Sequence, residues 1–264
     1  VNGPWPKDQD SRLLLYLHLG AYINQYIQRL SWQINQREKI DTDKPLSFKQ
    51  KTMTQLRADV HTAFSKAYRL SLQRNDPTSR INTMPLKQAS AYFTKSDYPE
   101  NVRGTVRDTV TYLWIDALQN TSIWPAKQTV EAYSFNVQAL LSSPYKEAIN
   151  PTDPSVHPLK VIVKLASDLE QFHRANRQPE AELEAFRVKA AVIASIRSSQ
   201  RDLQFVIQAM RLKIRQQQNS GNNLVWVNKL RLDLVGYLDR TNTASKQIQR
   251  LAEIRPCLNG DKEH

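Results

Sequence analysis

The sequence predicts an all-α protein, and three observations carry that prediction. Apolar residues recur at three- and four-residue steps over long stretches. The 13 Pro are grouped so that those stretches stay intact; because Pro costs about 3 kcal/mol in a helix interior but little in a first turn or loop, the Pro-free intervals read as helices. Sustained period-two alternation of β-branched residues, the mark of a strand, occurs nowhere. About nine or ten amphipathic helices are expected.

From Ser11 to Lys39 the residues Leu15, Leu19, Tyr22, Ile23, Tyr26, Ile27, Leu30 and Ile34 form one stripe, opposed by Gln, Asn and Arg. From Lys49 to Arg74 the stripe is Met53, Leu56, Val60, Phe64, Ala67 and Leu70. It stops before Asn75-Asp76-Pro77, since a residue preceding Pro is pushed out of the helical region. Met84 to Tyr92 reads as a short helix. Pro99 then opens a longer one, with Val102, Val106, Val110, Leu113, Trp114 and Ala117 inward. Pro125 starts another, carrying Val130, Tyr133, Val137, Leu140 and Leu141.

Ser142 to Pro158 holds four Pro with Ser, Asn and Asp, and reads as a break. The expected organisation is an N-terminal helical subdomain over 1–143, a Pro-rich linker over 144–158 and a C-terminal subdomain over 159–264, or one domain if the two pack together. Beyond the break a helix runs from Pro158 to about Arg174, and Arg177-Gln178-Pro179-Glu180 turns the chain. The next helix holds Leu183, Phe186, Ala190, Ile193 and Ile196. Ser198 or Ser199 caps its successor, which places Leu203, Val206, Ile207, Met210 and Ile214 inward. Leu224 to Arg240 and Thr243 to Ile254 complete the series. These C-terminal elements read as stacked helical hairpins, TPR-like or α-solenoid in kind, although no fixed repeat period is present.

The chemistry that the sequence offers is sparse. Six isolated Gly exclude a P-loop or a dinucleotide-binding turn, and a single Cys, Cys257, excludes an internal disulfide or a zinc ribbon. The longest mostly apolar stretch, Leu13 to Ile23, falls short of the ~18 to 20 residues of a membrane span. His18, His61, His157, His173 and His264 form no metalloprotease pair. Glu170 and His173 make one E-x-x-H, but a di-iron bundle needs a second copy, so His173 is expected at an exposed helix end whose dipole favours a cation. No G-x-S-x-G elbow is present, and Cys257 reads as a small apolar residue. No catalytic residue, metal ligand or cofactor is assigned. Asp108, Asp116, Asp168, Glu170 and His173 are the polar landmarks to inspect.

With 37 Lys+Arg against 25 Asp+Glu, the net charge is +12. Arg211, Lys213, Arg215, Lys229 and Arg231 form a possible basic surface for nucleic acid. Acids interleave with these cations, so solvated helix faces are the plainer reading. Arg107 and Asp108 sit inside the apolar stripe of a central helix. They are expected as a structural polar pair, because buried ions must be paired or hydrogen-bonded. Trp114 and Trp226 are expected in the core. Trp124 is expected as a loop anchor against the helix that follows it, and Trp5 as a tail residue docked on the body or on a neighbour.

Three stretches together carry a resemblance. They are Arg103 through Trp124 followed by Val130 to Leu141; Val156-His157-Pro158-Leu159 with Ser167 to His173 and Gln178 to Ala185; and Trp226 to Leu238 leading into Thr243 to Ile254. Over residues 50–255 this pattern resembles the helical, TPR-like N-terminal region of large bacterial alpha-2-macroglobulin-like envelope proteins. The resemblance implies a helical platform of a longer protein in the bacterial periplasm or cell envelope; a cytoplasmic location is the alternative. The family's trapping β-domains and its Cys-x-Glu-Gln thioester have no counterpart here, since Cys257-Leu258-Asn259 departs at the Glu position. Val1 in place of a Met start fits removal of an export signal. The expected function is therefore a non-enzymatic scaffold that holds a protein partner or neighbouring domains of a longer chain. A basic helical nucleic-acid-binding protein is the alternative.

Overall fold

The computed structural model describes residues 5–72, 84–89, 97–219, 225–241, 249–250 and 252–255. It is all-α, as the sequence predicts. The helices are α1 (Gln9–Asn35), α2 (Met53–Leu72), α3 (Glu100–Arg103), α4 (Val106–Gln119), α5 (Ala126–Glu131), α6 (Val137–Leu140), α7 (Pro158–Ala175), α8 (Pro179–Ile196), α9 (Gln200–Asn219) and α10 (Val225–Arg240). Among the described residues there is no strand, only an isolated bridge between Pro85 and Thr105. Short 3-10 turns occupy Leu86–Ala89, Thr121–Ile123 and Ala132–Ser134. Of the helix expected over Thr243 to Ile254, residues 249–250 and 252–255 are helical; the rest of it, Cys257, His264 and the expected stop at Asn75-Asp76-Pro77 lie outside the described residues.

The chain forms two compact units, and their boundary differs from the expected one. The first unit comprises residues 1–125 and 150–158, the second residues 126–149 and 159–264. The Pro-rich segment is therefore not a free linker, because its two halves are held by different cores. In the first unit Arg69 donates from Nε and Nη2 to Thr152 Oγ1 at 3.1 and 2.6 Å. His157, buried there, meets the Trp124 ring edge-on at 5.2 Å. In the second, Tyr145 is buried and Lys160 Nζ of α7 donates to Glu147 Oε1 at 2.5 Å.

The first unit is built on α1, α2 and α4, which pack pairwise. Asp8 caps α1 by accepting from the Ser11 N–H at 2.7 Å. The buried face of α1 is Leu13, Leu17, Gly20, Ile23, Asn24, Ile27 and Ile34. That corrects the expected stripe: Leu15 and Leu19 are only half-buried, and Tyr22 is 60% exposed. Consecutive Leu at 13, 14 and 15 allow the stripe to be drawn in several registers. Gly20 selects one of them, since the Phe64 ring of α2 lies where a Cβ on Gly20 would stand, 2.9 Å away. Gly20→Val should therefore lower stability by about 1–3 kcal/mol through overpacking. Thermal denaturation checks this, and an unchanged midpoint would mean that Phe64 moves aside freely.

The long helix expected from Pro99 is interrupted. A Cβ at Gly104 would lie 1.8 Å from the Glu100 carbonyl oxygen, so only Gly fits this tight junction, and Thr105 starts α4 afresh as its N-cap. The helix expected after Pro125 is likewise divided. Ser134 Oγ donates to the Glu131 carbonyl at 2.7 Å, and Asn136 caps α6 by accepting from the Ala139 N–H at 3.2 Å. Val130 and Tyr133, expected inward, are 73% and 62% exposed as a result.

In the second unit α8 packs against α9 and α10, α9 against α10, and α6 against α9. Pro179 opens α8 in its first turn, and Ser199 caps α9 by accepting from the Asp202 N–H at 3.1 Å. Between α7 and α8, Arg177 adopts φ 57° while Gln178 N–H bonds the His173 carbonyl at 2.9 Å and Arg177 N–H the Arg174 carbonyl at 3.1 Å. This closes α7 in the left-handed manner usually reserved for Gly. Side chains of α8 are buried on nearly every side, including Glu182, Glu184 and Lys189.

Candidate functional site

The interior of the second unit contains a network of ion pairs. Along α8 the residues Glu182, Phe186, Lys189 and Ile193 follow at helical spacing, so two charged side chains occupy positions of an apolar stripe. Lys189 is fully buried, and its Nζ lies 2.6 Å from Glu170 Oε1 of α7. It also donates to the Ser142 carbonyl at 3.0 Å and to Ser167 Oγ at 3.1 Å. The ammonium group thus has two hydrogen-bond acceptors and one carboxylate as its counter-ion. Glu170 Oε2 accepts from Ser143 Oγ at 2.6 Å.

A second pair adjoins the first. Lys213 of α9 is buried, with Nζ 2.6 Å from Glu182 Oε1 and 3.8 Å from Glu170 Oε2. Glu182 also accepts from Arg174 Nη2 and Nε at 2.7 and 3.2 Å. Three helices are thereby clasped through their charged side chains.

Burial pushes the Lys189 ammonium below its ordinary pKa; Glu170 opposes that shift, while Lys213 and Arg174 reinforce it. For Glu182, burial pushes the carboxyl up, but the bond from Arg174 and the charge and bond of Lys213 outweigh it and hold the group below its usual 4.5. The unfolded carboxyl therefore takes up its proton first as pH falls. The stabilisation from Glu182 is complete above about pH 4.5 and is lost as pH drops through the lower folded-state value. Melting temperature measured from about pH 6 down to about pH 3 should fall more steeply in the native protein than in Glu182→Gln. Parallel curves would remove Glu182 from the acid transition.

Further along, α8 is tied to α10. Glu184 accepts from Arg187 Nε at 2.6 Å and from Trp226 Nε1 at 2.6 Å, and Arg187 Nη1 reaches Asp233 at 3.0 Å. Burial lowers the Arg187 guanidinium pKa, but its two carboxylate partners outweigh that and raise it. Arg197, whose Nη1 holds two backbone carbonyls, donates from Nε to Asp202 at 3.1 Å.

The residues singled out from sequence are distributed differently. Arg107 and Asp108 are both buried, at 8% and 1% exposure. Asp108 works as the third residue of a capping box. Its Oδ2 accepts from the Thr105 N–H at 2.9 Å and from Thr105 Oγ1 at 2.8 Å, while its own N–H bonds Thr105 Oγ1 at 3.1 Å. Asp108→Ala should cost about 1–2 kcal/mol, visible as a lower melting temperature, with Asp108→Glu recovering part of it. Unchanged stability in Asp108→Ala would contradict the capping role.

The expected basic surface is not assembled. Lys213 and Arg231 are buried at 4% and 6% exposure, and Arg211 reaches Glu253 and Gln249 at 3.2 Å each. Only Arg215 and Lys229 of the five are exposed. Both Lys213 and Arg231 lie on the packed faces of α9 and α10, so spacing along the chain does not place them outside. Nor is His173 an exposed helix end. It is 1% exposed, because the turn at Arg177 brings Gln178 back over it, with Oε1 2.8 Å from His173 Nδ1. Glu170 is engaged by Lys189. Among the described residues no group of three His, Cys, Asp or Glu could hold a metal ion.

Asp116 accepts from Gln119 at 3.0 Å, and Asp168 pairs with Lys164 at 2.6 Å. Trp114 and Trp226 are buried, as expected, and Trp5 stacks on Tyr16 at 4.4 Å. Trp124 anchors backwards rather than forwards, its Nε1 donating to the Leu118 carbonyl of α4 at 2.9 Å.

Beside the network opens a cleft of about 270 Å³, walled by Leu141, Ser143, Phe186, Phe205, Leu212 and Lys213. No family model matches the chain, and neither the curated proteins nor the solved structures contain a match to it. The functional reading therefore rests on the residues themselves. No helix among the described residues is long and apolar enough to cross a membrane.

Proposed function

We propose that this chain is a non-enzymatic helical scaffold, the N-terminal platform of a larger bacterial alpha-2-macroglobulin-like envelope protein, which presents its helices to a neighbouring domain or protein partner. The observation that carries this reading is the interior clasp of the second unit. Glu170–Lys189, Glu182–Lys213 and Glu184–Arg187–Asp233 commit the charged side chains of α7 to α10 to one another, which suits a stiff support. Large apolar side chains meanwhile remain outside: Val130 at 73%, Leu212 at 59%, Val225 at 70% and Leu232 at 53% exposure. The resemblance of residues 50–255 supplies the family and the envelope location.

The test has two arms. The encoding gene should continue into β-rich domains, and the segment that follows His264, produced separately, should bind this chain in calorimetry. A continuation without β-rich domains, or turnover of a substrate by the purified chain, would overturn the reading. The nucleic-acid alternative has lost most of its cationic face. Retardation of DNA that weakens steeply with added salt would bring it back.

A further inference from the structure

We propose that the cleft at the start of α9 binds a small phosphate monoester with an apolar body. The cleft belongs to the second unit, measures about 360 Å³ and is walled by Phe135, Val137, Arg197, Ser199, Arg201 and Phe205. An unused nitrogen marks its polar end. Arg197 is only 8% exposed, with Nε taken by Asp202 and Nη1 by the Ala132 and Phe135 carbonyls. Nη2 has no acceptor among the described residues, although the side chain lines the cleft. Those three bonds, and the Tyr133 ring whose centre lies 5.5 Å from the guanidinium carbon, fix the plane of the group. Its free edge is therefore in place before a ligand arrives.

The backbone supplies donors beside it. Ser199 Oγ accepts from the Asp202 N–H at 3.1 Å and the Ser199 carbonyl from the Leu203 N–H at 2.9 Å, which leaves the N–H groups of Gln200 and Arg201 without an acceptor among the described residues. They stand at the positive end of the 20-residue α9. Arg201 adds an exposed guanidinium that enters no ion pair among the described residues, its carbon 5.9 Å from the Phe205 ring centre. Asp202, the carboxylate in the wall, is already held by Arg197 Nε, which leaves Arg201 as the unpaired charge of the wall. Guanidinium and helix-terminal N–H groups together suit the three oxygens of a phosphate monoester better than a single carboxylate. A bare phosphate would leave most of 360 Å³ empty, whereas that volume falls within the ~300–1,000 Å³ of small-molecule sites. Phe135, Val137 and Phe205 offer an apolar wall for the ester body.

The test titrates phenyl phosphate into the full chain by calorimetry at neutral pH, with inorganic phosphate and phenol as controls. Phenyl phosphate should bind at least about tenfold more tightly than either, because charge-assisted bonds and apolar contact act together. Gln200→Pro removes one of the two N–H groups at the first helical position, where Pro is tolerated, so the melting temperature should hold while affinity falls about tenfold. Arg201→Gln, at an exposed side chain, should also leave the melting temperature unchanged and lower affinity at least about threefold. Absence of phenyl phosphate binding overturns the proposal. So does equal affinity for inorganic phosphate, which would show an anion site that ignores the ester body, or for phenol, which would show an apolar cleft alone. Affinity unaltered in Arg201→Gln would also overturn it, whether or not Gln200→Pro folds.

Discussion

Lys189→Ala is expected to destabilise the second unit by about 3–5 kcal/mol, among the largest effects of any single substitution in the chain. The ammonium group is fully buried and answers Glu170 at 2.6 Å, the Ser142 carbonyl at 3.0 Å and Ser167 at 3.1 Å. Truncation leaves a carboxylate of 1% exposure facing a hole, with Ser143 and the more distant Lys213 as its remaining partners. The cost comes from that stranded charge more than from the lost pair, and a double substitution separates the two. Lys189→Met with Glu170→Leu removes both ions at similar volume, so it should recover stability to within about 1 kcal/mol of the native protein or exceed it. Hydrogen exchange of amides in α7, α8 and α9 reads the change where it arises. A loss under about 1 kcal/mol in Lys189→Ala would mean that water or a proton reaches Glu170 at little cost.

Trp114→Ala should have a comparable effect on the first unit, about 3–5 kcal/mol. The ring is fully buried and lies parallel to Phe64 at 6.4 Å, with Tyr68 and His61 edge-on at 5.6 and 5.8 Å. The partner rings all belong to α2, so the side chain of α4 is the piece around which that aromatic cluster closes. Burial holds His61 below the usual imidazole pKa, which keeps it neutral beside the indole at neutral pH. Trp114→Phe should lose less, because it keeps an aromatic face against Phe64. Tyr133→Ala, at 62% exposure, should stay within about 0.5 kcal/mol of the native protein. Urea denaturation followed by far-ultraviolet circular dichroism distinguishes these cases. Equal losses for Trp114→Ala and Tyr133→Ala would refute the assignment of the core.

The helices α7 to α10 were legible because Pro158, Pro179, Ser199 and the polar run before Val225 punctuate them at their ends. Two interruptions were not. Gly104 and the Ser134 to Asn136 turn sit inside stripes whose apolar spacing continues across them, and a continuous helix satisfies that spacing equally well. The ion-pair network was hidden for a related reason: periodicity counts apolar residues and passes over charged ones. A signal was nevertheless present. Glu182, Lys189, Glu170 and Lys213 occupy positions where their own stripes require an inward residue, next to Leu183, Ala190, Leu169 and Ile214. Charge of both signs on inward faces of successive helices predicts interior pairing better than it predicts a basic surface. Which Lys meets which Glu depends on how the helices cross, and that is not encoded in spacing along one of them.

The interleaved ownership of residues 126–158 bears on the order in which the protein can be completed as it leaves the ribosome. Arg69 finds Thr152 only after 83 further residues have emerged, so the N-terminal unit cannot be finished when α4 has been made. Residues 126–149 emerge earlier than the helices that need them, and Ser142, Ala132 and Phe135 wait with open carbonyls for Lys189 and Arg197. A polypeptide cut at 158/159 would leave the first unit whole and carry residues 126–149 away from the second. The downstream piece would retain two buried cations, Lys189 and Arg197, and lack the backbone carbonyls that accept from them. The first unit can therefore close only once residue 158 has emerged, with residues 126–149 held out as a loop until the helices beyond 159 follow.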